Sequence, residues 1–273
     1  MIISADKKIT WHKLLLIALE ASIKAGNAIM QVYRTRFDIE YKDDQSPLTL
    51  ADKNADSIIN NYLSETGIPV LSEESSVTDF SLRKHWNTLW IVDPLDGTKE
   101  FIQRNDEFTV NIALILGQKP VLGVVYAPAI GELYFASAHL GAFFVSLQDT
   151  ININLPDMIA SSEKLPRHQI TNAFIVLGSR SHMNAETTAY INSMMKIHPN
   201  LKVSSRGSSL KFCSIADGSS QLYPRFGTTM EWDTAAGQAI LEIAGGSVTE
   251  ANEGYPLVYN KESLKNPYFI AKI

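Results

Sequence analysis

Two carboxylates stand three residues apart directly after an apolar run of the chain. Residues 89–92 are all apolar, and they are followed by Asp93 and then, beyond Pro94, by Asp96. Because Pro94 fixes its own backbone φ, both carboxylates can be presented to one point with little loss of entropy. The carboxyl ends of strands are where open α/β sheets bind ligands. The bare pattern is equally typical of a strand that ends in an Asp-capped turn, so spacing alone leaves both interpretations open.

Further acidic residues stand at the ends of other predicted elements. Asp52 begins a predicted helix, Glu73 and Glu74 follow a short apolar strand, and Asp233 begins another helix. Each of them alone is explained as well by a helix cap or a solvated loop end. Taken together, these carboxylates and the first two could converge on a cation. An oxygen-only ligand set suits Mg²⁺ better than Mn²⁺ or Ca²⁺, and protein-bound Mg²⁺ usually meets a substrate phosphate.

Gly97 and Thr98 follow the second carboxylate of the turn. Their backbone amides lie at the start of the next element, whatever that element is. If it is a helix, its N-terminus is a ready site for an anion.

These motifs, in this order, resemble the signature of the inositol monophosphatase superfamily. They spread over most of the chain and comprise Asp52, Glu73-Glu74, Asp93-Pro94-Leu95-Asp96-Gly97-Thr98 and Trp232-Asp233-Thr234-Ala235-Ala236-Gly237. The resemblance implies a Mg²⁺-dependent, lithium-sensitive phosphomonoesterase. It also implies an α/β fold, a layered α-β-α-β-α sandwich of two subdomains with the site between them.

A second group of motifs resembles one branch of that superfamily, the CysQ-type 3'(2'),5'-bisphosphate nucleotidases. These motifs are Lys99-Glu100-Phe101, Phe108-Thr109-Val110-Asn111-Ile112-Ala113-Leu114, Ser179-Arg180-Ser181-His182, Gly207-Ser208-Ser209-Leu210-Lys211-Phe212-Cys213 and Leu222-Tyr223-Pro224-Arg225-Phe226-Gly227. One departure is Thr228, where relatives commonly have proline. Because it adjoins the substrate loop, this departure concerns fine specificity and leaves the metal ligands untouched.

The resemblance implies which residues hold metal. Glu73, Asp93 and the Leu95 carbonyl would bind one Mg²⁺ ion. Asp93, Asp96 and Asp233 would bind a second, and a third, weaker ion would lie near Glu73. The expected cofactor is therefore Mg²⁺, with two or three ions.

The resemblance also implies the catalytic groups. Thr98 and Asp52, with Glu73, would orient a metal-bound water for in-line attack on phosphorus, since the cation lowers the pKa of that water. The amides of Gly97 and Thr98 would hold the equatorial oxygens as charge builds on them. The residues expected around the scissile phosphate are Glu73, Leu95, Asp96, Gly97, Thr98 and Asp233.

Nucleotide selectivity needs groups remote from the scissile phosphate. The resemblance places His182, Ser208, Lys211 and Arg225 around the ribose, the base and a second phosphate. Lysine and arginine are the usual partners of phosphate, which favours this role for the basic pair. The structural alternatives are a loop position for His182, a surface helix position for Lys211 and an ion pair for Arg225.

The expected reaction is hydrolysis of adenosine 3',5'-bisphosphate to AMP and phosphate, with 3'-phosphoadenylyl sulfate as a further substrate. Inositol monophosphate or a sugar bisphosphate is the alternative substrate, against which Lys99-Glu100-Phe101 and the basic pair argue. A catalytically silent sensor of phosphorylated ligands is an alternative of another class. It is disfavoured because every expected metal carboxylate and Thr98 are present.

The elements that must position these residues follow from hydrophobic periodicity. Three- and four-residue spacing predicts helices over 10–33, with Thr10 as the cap, and over 49–63, and residues 42–47 are predicted as a loop. Closely spaced apolar runs between 108 and 145 predict an antiparallel meander. The later pattern predicts one strand (173–177) and helices over 184–195, 209–216 and 234–244. The polar stretch 148–164 predicts a junction between subdomains 1–150 and 151–273.

Composition restricts the class of protein. The 273 residues are 45% hydrophobic and carry a formal net charge of −5, which disfavours nucleic acid and anionic lipid as main partners. The single cysteine, Cys213, fits a reducing compartment and is expected to be a buried small hydrophobe. No run reaches the roughly 20 apolar residues of a membrane span, and no signal peptide is expected. A cytoplasmic location follows as the expectation, with loose association at the cytoplasmic face of the inner membrane as a variant of it; the oligomeric state stays open.

Overall fold

The computed structural model of the chain describes residues 2–4, 7–37, 39–41, 47–75, 78–147, 154–168, 173–178 and 184–273. Its helices are α1 (Trp11–Tyr33), α2 (Leu50–Ser64), α3 (Phe80–Arg83), α4 (Thr98–Ile102), α5 (Leu155–Ala160), α6 (Ala185–Ile197), α7 (Leu210–Ala216) and α8 (Glu231–Ile243). Its strands are β1 (Ile2–Ser4), β2 (Lys7–Ile9), β3 (Ile39–Tyr41), β4 (Pro47–Thr49), β5 (Val70–Ser72), β6 (Thr88–Asp96), β7 (Thr109–Leu116), β8 (Lys119–Ala127), β9 (Glu132–Ser137), β10 (Gly141–Ser146), β11 (Glu163–Lys164), β12 (Phe174–Gly178), β13 (Leu201–Ser205), β14 (Leu222–Arg225), β15 (Ser247–Glu250) and β16 (Phe269–Lys272).

A seven-stranded sheet is built from the first part of the chain. Its strand order is β11-β10-β9-β8-β7-β6-β5. All neighbours from β6 to β11 are antiparallel, and β5 alone runs parallel to its neighbour β6. The predicted antiparallel meander is therefore confirmed. Because β5 and β6 are parallel, their carboxyl ends meet at the same edge of the sheet.

The two faces of this sheet are covered by different helices. On β8, Val124 and Tyr126 lie in a core with α1 and α2, whereas Val125 and Ala127 lie in a second core with α7 and α8. This split follows from the two-residue period of a strand, which sends successive side chains to opposite faces. Strand β8 is thus buried on both sides.

A five-stranded sheet lies on the far side of α7 and α8. Its order is β13-β12-β14-β16-β15, and residues of β15 and β16 share the second core with those helices. A smaller third core joins Val176 and Leu222 of this sheet to Ile191 of α6. The layers are therefore helix, sheet, helix, sheet and helix, which confirms the α-β-α-β-α sandwich.

Helix α1 illustrates how the first layer forms. Thr10 caps it by accepting a hydrogen bond from the Lys13 amide at 3.3 Å, as the sequence predicts. The helix is long and apolar enough to cross a membrane, but 61% of its most apolar window is buried inside the protein. Its apolar face packs in the first core, which accounts for that composition. No other helix in the described part of the chain meets the length and hydropathy of a membrane span.

The other predicted helices and strands are present, with bounds that differ by a few residues. The predicted loop at 42–47 falls mostly outside the described residues, and its last residue opens β4. Residues 148–153 of the predicted junction also lie outside them. Beyond residue 150, Leu155 and Met158 of α5 pack in the first core, and β11 pairs with β10. These segments pack with the first sheet, and the division at residue 150 stays a prediction.

Candidate active site

The carboxylate turn lies at the end of β6. The pairing of β6 with β7 shifts register between Asp93 and Asp96, because an irregularity interrupts the ladder there. The Leu95 amide donates to Asp93 Oδ1 at 3.1 Å, which fixes the turn around the proline. Gly97 follows with φ +90°, a left-handed conformation that glycine adopts without a steric penalty, and α4 begins at Thr98. The element after the turn is therefore a helix, as the anion-site interpretation requires.

Three carboxylates from three elements meet beside this turn. Glu73 follows β5, Asp93 lies in β6 and Asp233 lies in the first turn of α8, and one ligand oxygen from each lies within 4.8 Å of the other two. The Glu73 amide donates to the Val92 carbonyl at 3.1 Å, which extends the parallel β5–β6 pairing up to the site. The ends of two strands and the start of a helix thus converge as the sequence predicts.

The electrostatics of this cluster are those of a cation site. Burial, then repulsion from Glu73, Asp96 and Asp233, raises the pKa of Asp93 well above its usual range. Burial, reinforced by Asp96, raises the pKa of Asp233 to about 8. Burying several like charges together is unfavourable unless a cation neutralises them. The donor set is oxygen-only and Leu95 lines the same cleft, so these residues fit Mg²⁺.

Asp52 serves as a helix cap and also as a partner of the site. It is the third residue of α2, and its Oδ2 accepts from the Thr49 amide at 2.7 Å and the Thr49 hydroxyl at 2.6 Å. Its Oδ1 lies 3.3 Å from the hydroxyl of Thr98, which also lies 3.3 Å from the Leu95 carbonyl. Helix capping and the expected catalytic position therefore coexist in one side chain.

Asp96 lies beside the three clustered carboxylates but is held differently. Its Oδ2 accepts from the Ser208 hydroxyl, from the Ser209 amide at 2.8 Å and hydroxyl at 3.0 Å, and from Asn111 Nδ2 at 3.2 Å. It does not belong to the group of three whose oxygens lie within 4.8 Å. Its role as a ligand of a second ion stays a prediction.

The basic side of the cleft is formed by Lys211 and Arg225. Lys211 is only 6% exposed, so a surface helix position is wrong for it. Its Nζ donates to the carbonyls of Arg206 at 3.0 Å and Ser208 at 2.8 Å, and burial lowers its pKa to about 8. Arg225 donates to the Thr228 carbonyl at 3.1 Å, and among the described residues it makes no salt bridge.

One cleft of about 260 Å³ brings the acidic and basic residues together. It is lined by Glu73, Asp93, Leu95, Asp96, Gly97, Thr98, Lys99, Glu100, Ser208, Lys211, Phe212, Tyr223, Arg225, Thr228, Thr229, Asp233, Thr234 and Phe269. Of the expected site residues, Asp52 lies behind Thr98 rather than on the lining, and His182 lies outside the described residues. Thr228, the departure noted in the sequence, lies on the lining.

Several lining residues have no counterpart in the sequence-based assignment. Tyr223 and Arg225 lie two apart on β14, so they share one face of it, and Phe269 of β16 is the register partner of Arg225. The sequence pattern predicts no strand in this segment, so it gives no prediction of which side chains share a face. Recognising β14 as a strand would have predicted Tyr223 beside Arg225.

Comparisons with known proteins agree with this geometry. The sequence pattern of the inositol monophosphatase family matches residues 10–268. A protein named 3'(2'),5'-bisphosphate nucleotidase CysQ from Salmonella typhimurium is 46% identical over 250 residues, which is 90% of this chain and 94% of that protein. Its namesake from Shigella flexneri is 44% identical over 254 residues, covering 91% and 95%. The crystal structure of CysQ from Bacteroides thetaiotaomicron, described as a bacterial member of the inositol monophosphatase family, superposes with a TM-score of 0.90 at 46% identity, covering 97% of this chain and 98% of that one.

Proposed function

The chain belongs to the inositol monophosphatase family, and we propose that it is a Mg²⁺-dependent 3'(2'),5'-bisphosphate nucleotidase. Its substrate is adenosine 3',5'-bisphosphate, which it hydrolyses to AMP and phosphate. The same chemistry extends to 3'-phosphoadenylyl sulfate, which carries the same 3'-phosphate.

One observation carries the proposal: carboxylates and basic side chains face each other across a single cleft. Glu73, Asp93 and Asp233 lie on the lining with Lys211 and Arg225. A bisphosphate needs a cation-filled acidic pocket for the phosphate that is cleaved and fixed positive charges for the phosphate that is kept. A substrate with a single phosphate would leave the basic pair without an anionic group to bind.

The carboxylates would hold the metal. Glu73, Asp93 and the Leu95 carbonyl would bind one Mg²⁺ ion. Asp93, Asp96 and Asp233 would bind a second, and a third ion near Glu73 is part of the proposal. When bound, Mg²⁺ would neutralise phosphate charge and lower the pKa of a water molecule.

The Asp52–Thr98 pair handles the proton of the attacking water. The Thr98 hydroxyl donates to Asp52 Oδ1, which leaves the Thr98 oxygen free to accept a hydrogen bond from water. The proton of that water can pass to Asp52 through Thr98. The backbone amides at Gly97 and Thr98, at the start of α4, stabilise the phosphate oxygens as negative charge builds.

Selectivity for a nucleotide rests on Ser208, Lys211 and Arg225, with His182 as a further contact. Tyr223 and Phe269 add an apolar surface beside Arg225 that suits the flat face of a base. A catalytically silent sensor is disfavoured, because the metal carboxylates and the Asp52–Thr98 pair are all in place. A cytoplasmic location, with loose association at the inner membrane, stays a prediction.

The test compares phosphate release from three substrates in Mg²⁺, with and without lithium. We expect adenosine 3',5'-bisphosphate to give a far higher kcat/KM than inositol 1-phosphate or fructose 1,6-bisphosphate, with inhibition by lithium. Preference for either non-nucleotide substrate would refute the proposed substrate while leaving the phosphatase chemistry intact.

A matched pair of variants distinguishes direct binding of the substrate by Arg225 from a general effect of losing one positive charge. Arg225→Met should lower kcat/KM for the bisphosphate and change that for inositol 1-phosphate little. Arg206 is also half-buried but pairs with Glu132 at 3.3 Å and does not line the cleft. Arg206→Met should therefore leave the ratio between the two substrates near that of the native protein. Equal loss in both variants would contradict a direct role for Arg225.

A further inference from the structure

Asp96 is held by donors from two different parts of the fold. Asn111 lies on β7 of the seven-stranded sheet, and Ser209 immediately precedes α7, 98 residues later in the chain. Asn111 and Ser209 are each 1% exposed. Buried polar groups are almost always hydrogen-bonded, and here both residues donate to one oxygen, Asp96 Oδ2.

The protons of this network can be assigned from the hydrogen-bond partners. A carboxylate oxygen only accepts, so the side-chain atom of Asn111 that faces Asp96 Oδ2 is the amide nitrogen, and Asn111 Oδ1 faces the Thr109 hydroxyl at 2.9 Å. That nitrogen has two protons, one for Asp96 Oδ2 at 3.2 Å and one for Ser209 Oγ at 2.9 Å. The Asn111 side chain and the Ser209 backbone amide are therefore obligate donors to the carboxylate.

Ser209 also links the Asp96 carboxylate to α8, the helix that carries Asp233. Its hydroxyl lies 3.0 Å from Asp96 Oδ2 and 2.9 Å from the Asp233 carbonyl oxygen. Among the described residues none donates a hydrogen bond to Asp96 Oδ1, so Oδ1 is the oxygen available to a cation. Partners that orient a metal-binding carboxylate contribute strongly to metal affinity.

We propose that Asn111 and Ser209 are positioning residues that hold Asp96 Oδ2 and thereby set the affinity of the site for its divalent cation. The proposal depends on one part of the proposed function, namely that Asp96 binds that cation. It does not depend on which phosphate ester is the substrate. Neither residue is on the lining of the cleft, so each acts through Asp96.

The test is a Mn²⁺ titration of the substrate-free protein, with free Mn²⁺ followed by EPR. Ser209→Ala and Asn111→Ala should each weaken Mn²⁺ binding by about 10-fold, the lower end of the effect of such partners. The double variant should lose less than the product of the two, because Ser209 and Asn111 bond each other. In turnover, the Mg²⁺ concentration for half-activation should rise while KM at saturating Mg²⁺ stays near native.

Two control variants isolate the positioning role from packing. Ser214 lies on α7, the helix that Ser209 precedes, and within the described part of the chain its buried hydroxyl bonds only the Leu210 carbonyl. Ser214→Ala should therefore leave Mn²⁺ affinity within about twofold. Ser209→Thr keeps the hydroxyl and should keep most of the affinity. Melting temperatures in EDTA report any loss of fold, and Ser209→Ala, which leaves the amide donor in place, decides the matter if Asn111→Ala does not fold.

Unchanged Mn²⁺ affinity in a folded Ser209→Ala protein would overturn the proposal. So would affinity losses that follow the melting temperature equally in Ser209→Ala and Ser214→Ala. Because no nucleotide is present in the titration, its outcome stands even if the protein prefers another phosphate ester.

Discussion

Asp52 shows how one side chain can satisfy a helix and a reaction together. Its Oδ2 accepts hydrogen bonds from the amide and the hydroxyl of Thr49, the N-cap residue of α2, and its Oδ1 lies 3.3 Å from the Thr98 hydroxyl. The cap therefore orients the carboxylate before any substrate arrives. Such an arrangement costs no reorganisation during the reaction, which is how preorganised groups contribute to catalysis.

Replacing Asp93 should separate activity from stability. Burial and repulsion from Glu73 raise the pKa of Asp93 well above its usual range, so its charge is unfavourable in the metal-free fold. Asp93→Asn should lower kcat by about 10³-fold, since losing a metal ligand removes several kcal/mol of charge stabilisation. Its melting temperature in EDTA should equal or exceed that of the native protein. Asp217→Asn replaces a buried carboxylate that pairs with Arg167 at 2.6 Å, so this control should have a lower melting temperature and a kcat near native. A destabilised and active Asp93→Asn protein would contradict the metal assignment.

The pH dependence of substrate capture should report Lys211. Its pKa is lowered to about 8 by burial, so the side chain is protonated below that pH and loses its charge above it. Because only the charged form attracts a second phosphate, kcat/KM for the bisphosphate should fall as pH rises through about 8, the free-protein pKa. The ratio of kcat/KM for adenosine 3',5'-bisphosphate to that for adenosine 3'-monophosphate isolates this effect. In Lys211→Met that ratio should be lower and independent of pH, and a retained step near pH 8 would assign it to another group.

At the scale of elements, two helices approach β8 closely, one on each face of the sheet. A Cβ added at Gly123 would lie 2.4 Å from the Ala236 carbonyl oxygen of α8, and one added at Gly26 of α1 would lie 2.4 Å from the Tyr126 ring. The two glycines therefore let helices approach the sheet from opposite faces. Helix α8 carries Asp233 at its start, whereas no residue expected to bind metal lies on α1.

Alanine at these two glycines should distinguish the two faces. Gly123→Ala and Gly26→Ala should each destabilise the fold by about 1–3 kcal/mol through overpacking. Only Gly123→Ala must displace the backbone of α8, so it alone should also weaken Mn²⁺ binding. Urea unfolding gives the stability and EPR titration the affinity. Equal Mn²⁺ affinity in both variants would mean that α8 absorbs the added methyl group without moving Asp233.

The elements that sequence predicts well are those with strong periodicity. Helices α1, α2 and α8 and the meander of the first sheet follow from apolar spacing, whereas the sequence leaves open which element follows the carboxylate turn. The short strands β13 to β16 and β3–β4 were not predicted. Most of β13 is exposed, and β14 to β16 are four residues each, so their pairing depends on tertiary contacts that a local pattern does not contain.

The sequence predicts those residues of the candidate site that stand at the ends of helices and strands. Glu73, Asp93 and Asp233 each stand where an element begins or ends, and the layered fold brings those ends together. The hydrogen bonds of Asp96 were not predictable, because Asn111 and Ser209 lie 98 residues apart and meet only across the two halves. Burial of Lys211 was also hidden, since one polar residue on a short helix does not reveal which layer covers it.

At the scale of the whole molecule, part of the negative net charge is concentrated in the cleft. The formal net charge of −5 describes the chain without bound cations, and several of its carboxylates are gathered in one cleft. Binding Mg²⁺ there converts a site that repels phosphate into one that attracts it. The cluster also draws on both halves of the chain, with Glu73 and Asp93 beside the first sheet and Asp233 on the helix layer between the sheets.

Mg²⁺ should therefore act as a cross-link between the halves and stabilise the whole chain. At a concentration about 100-fold above its Kd, a ligand that binds only the folded state adds about 2.7 kcal/mol, which corresponds to a rise in Tm of about 5–10 °C for a chain of this size. Calorimetry in EDTA and in Mg²⁺ measures that rise as a single transition. Asp233→Asn should lose most of the Mg²⁺-dependent shift, because the cluster then lacks its member from α8. Asp217→Asn should have a lower Tm in EDTA with the shift intact, since Asp217 pairs with Arg167 away from the cluster. Two separate transitions, of which Mg²⁺ moves one alone, would show that the cation binds within one half and does not join them.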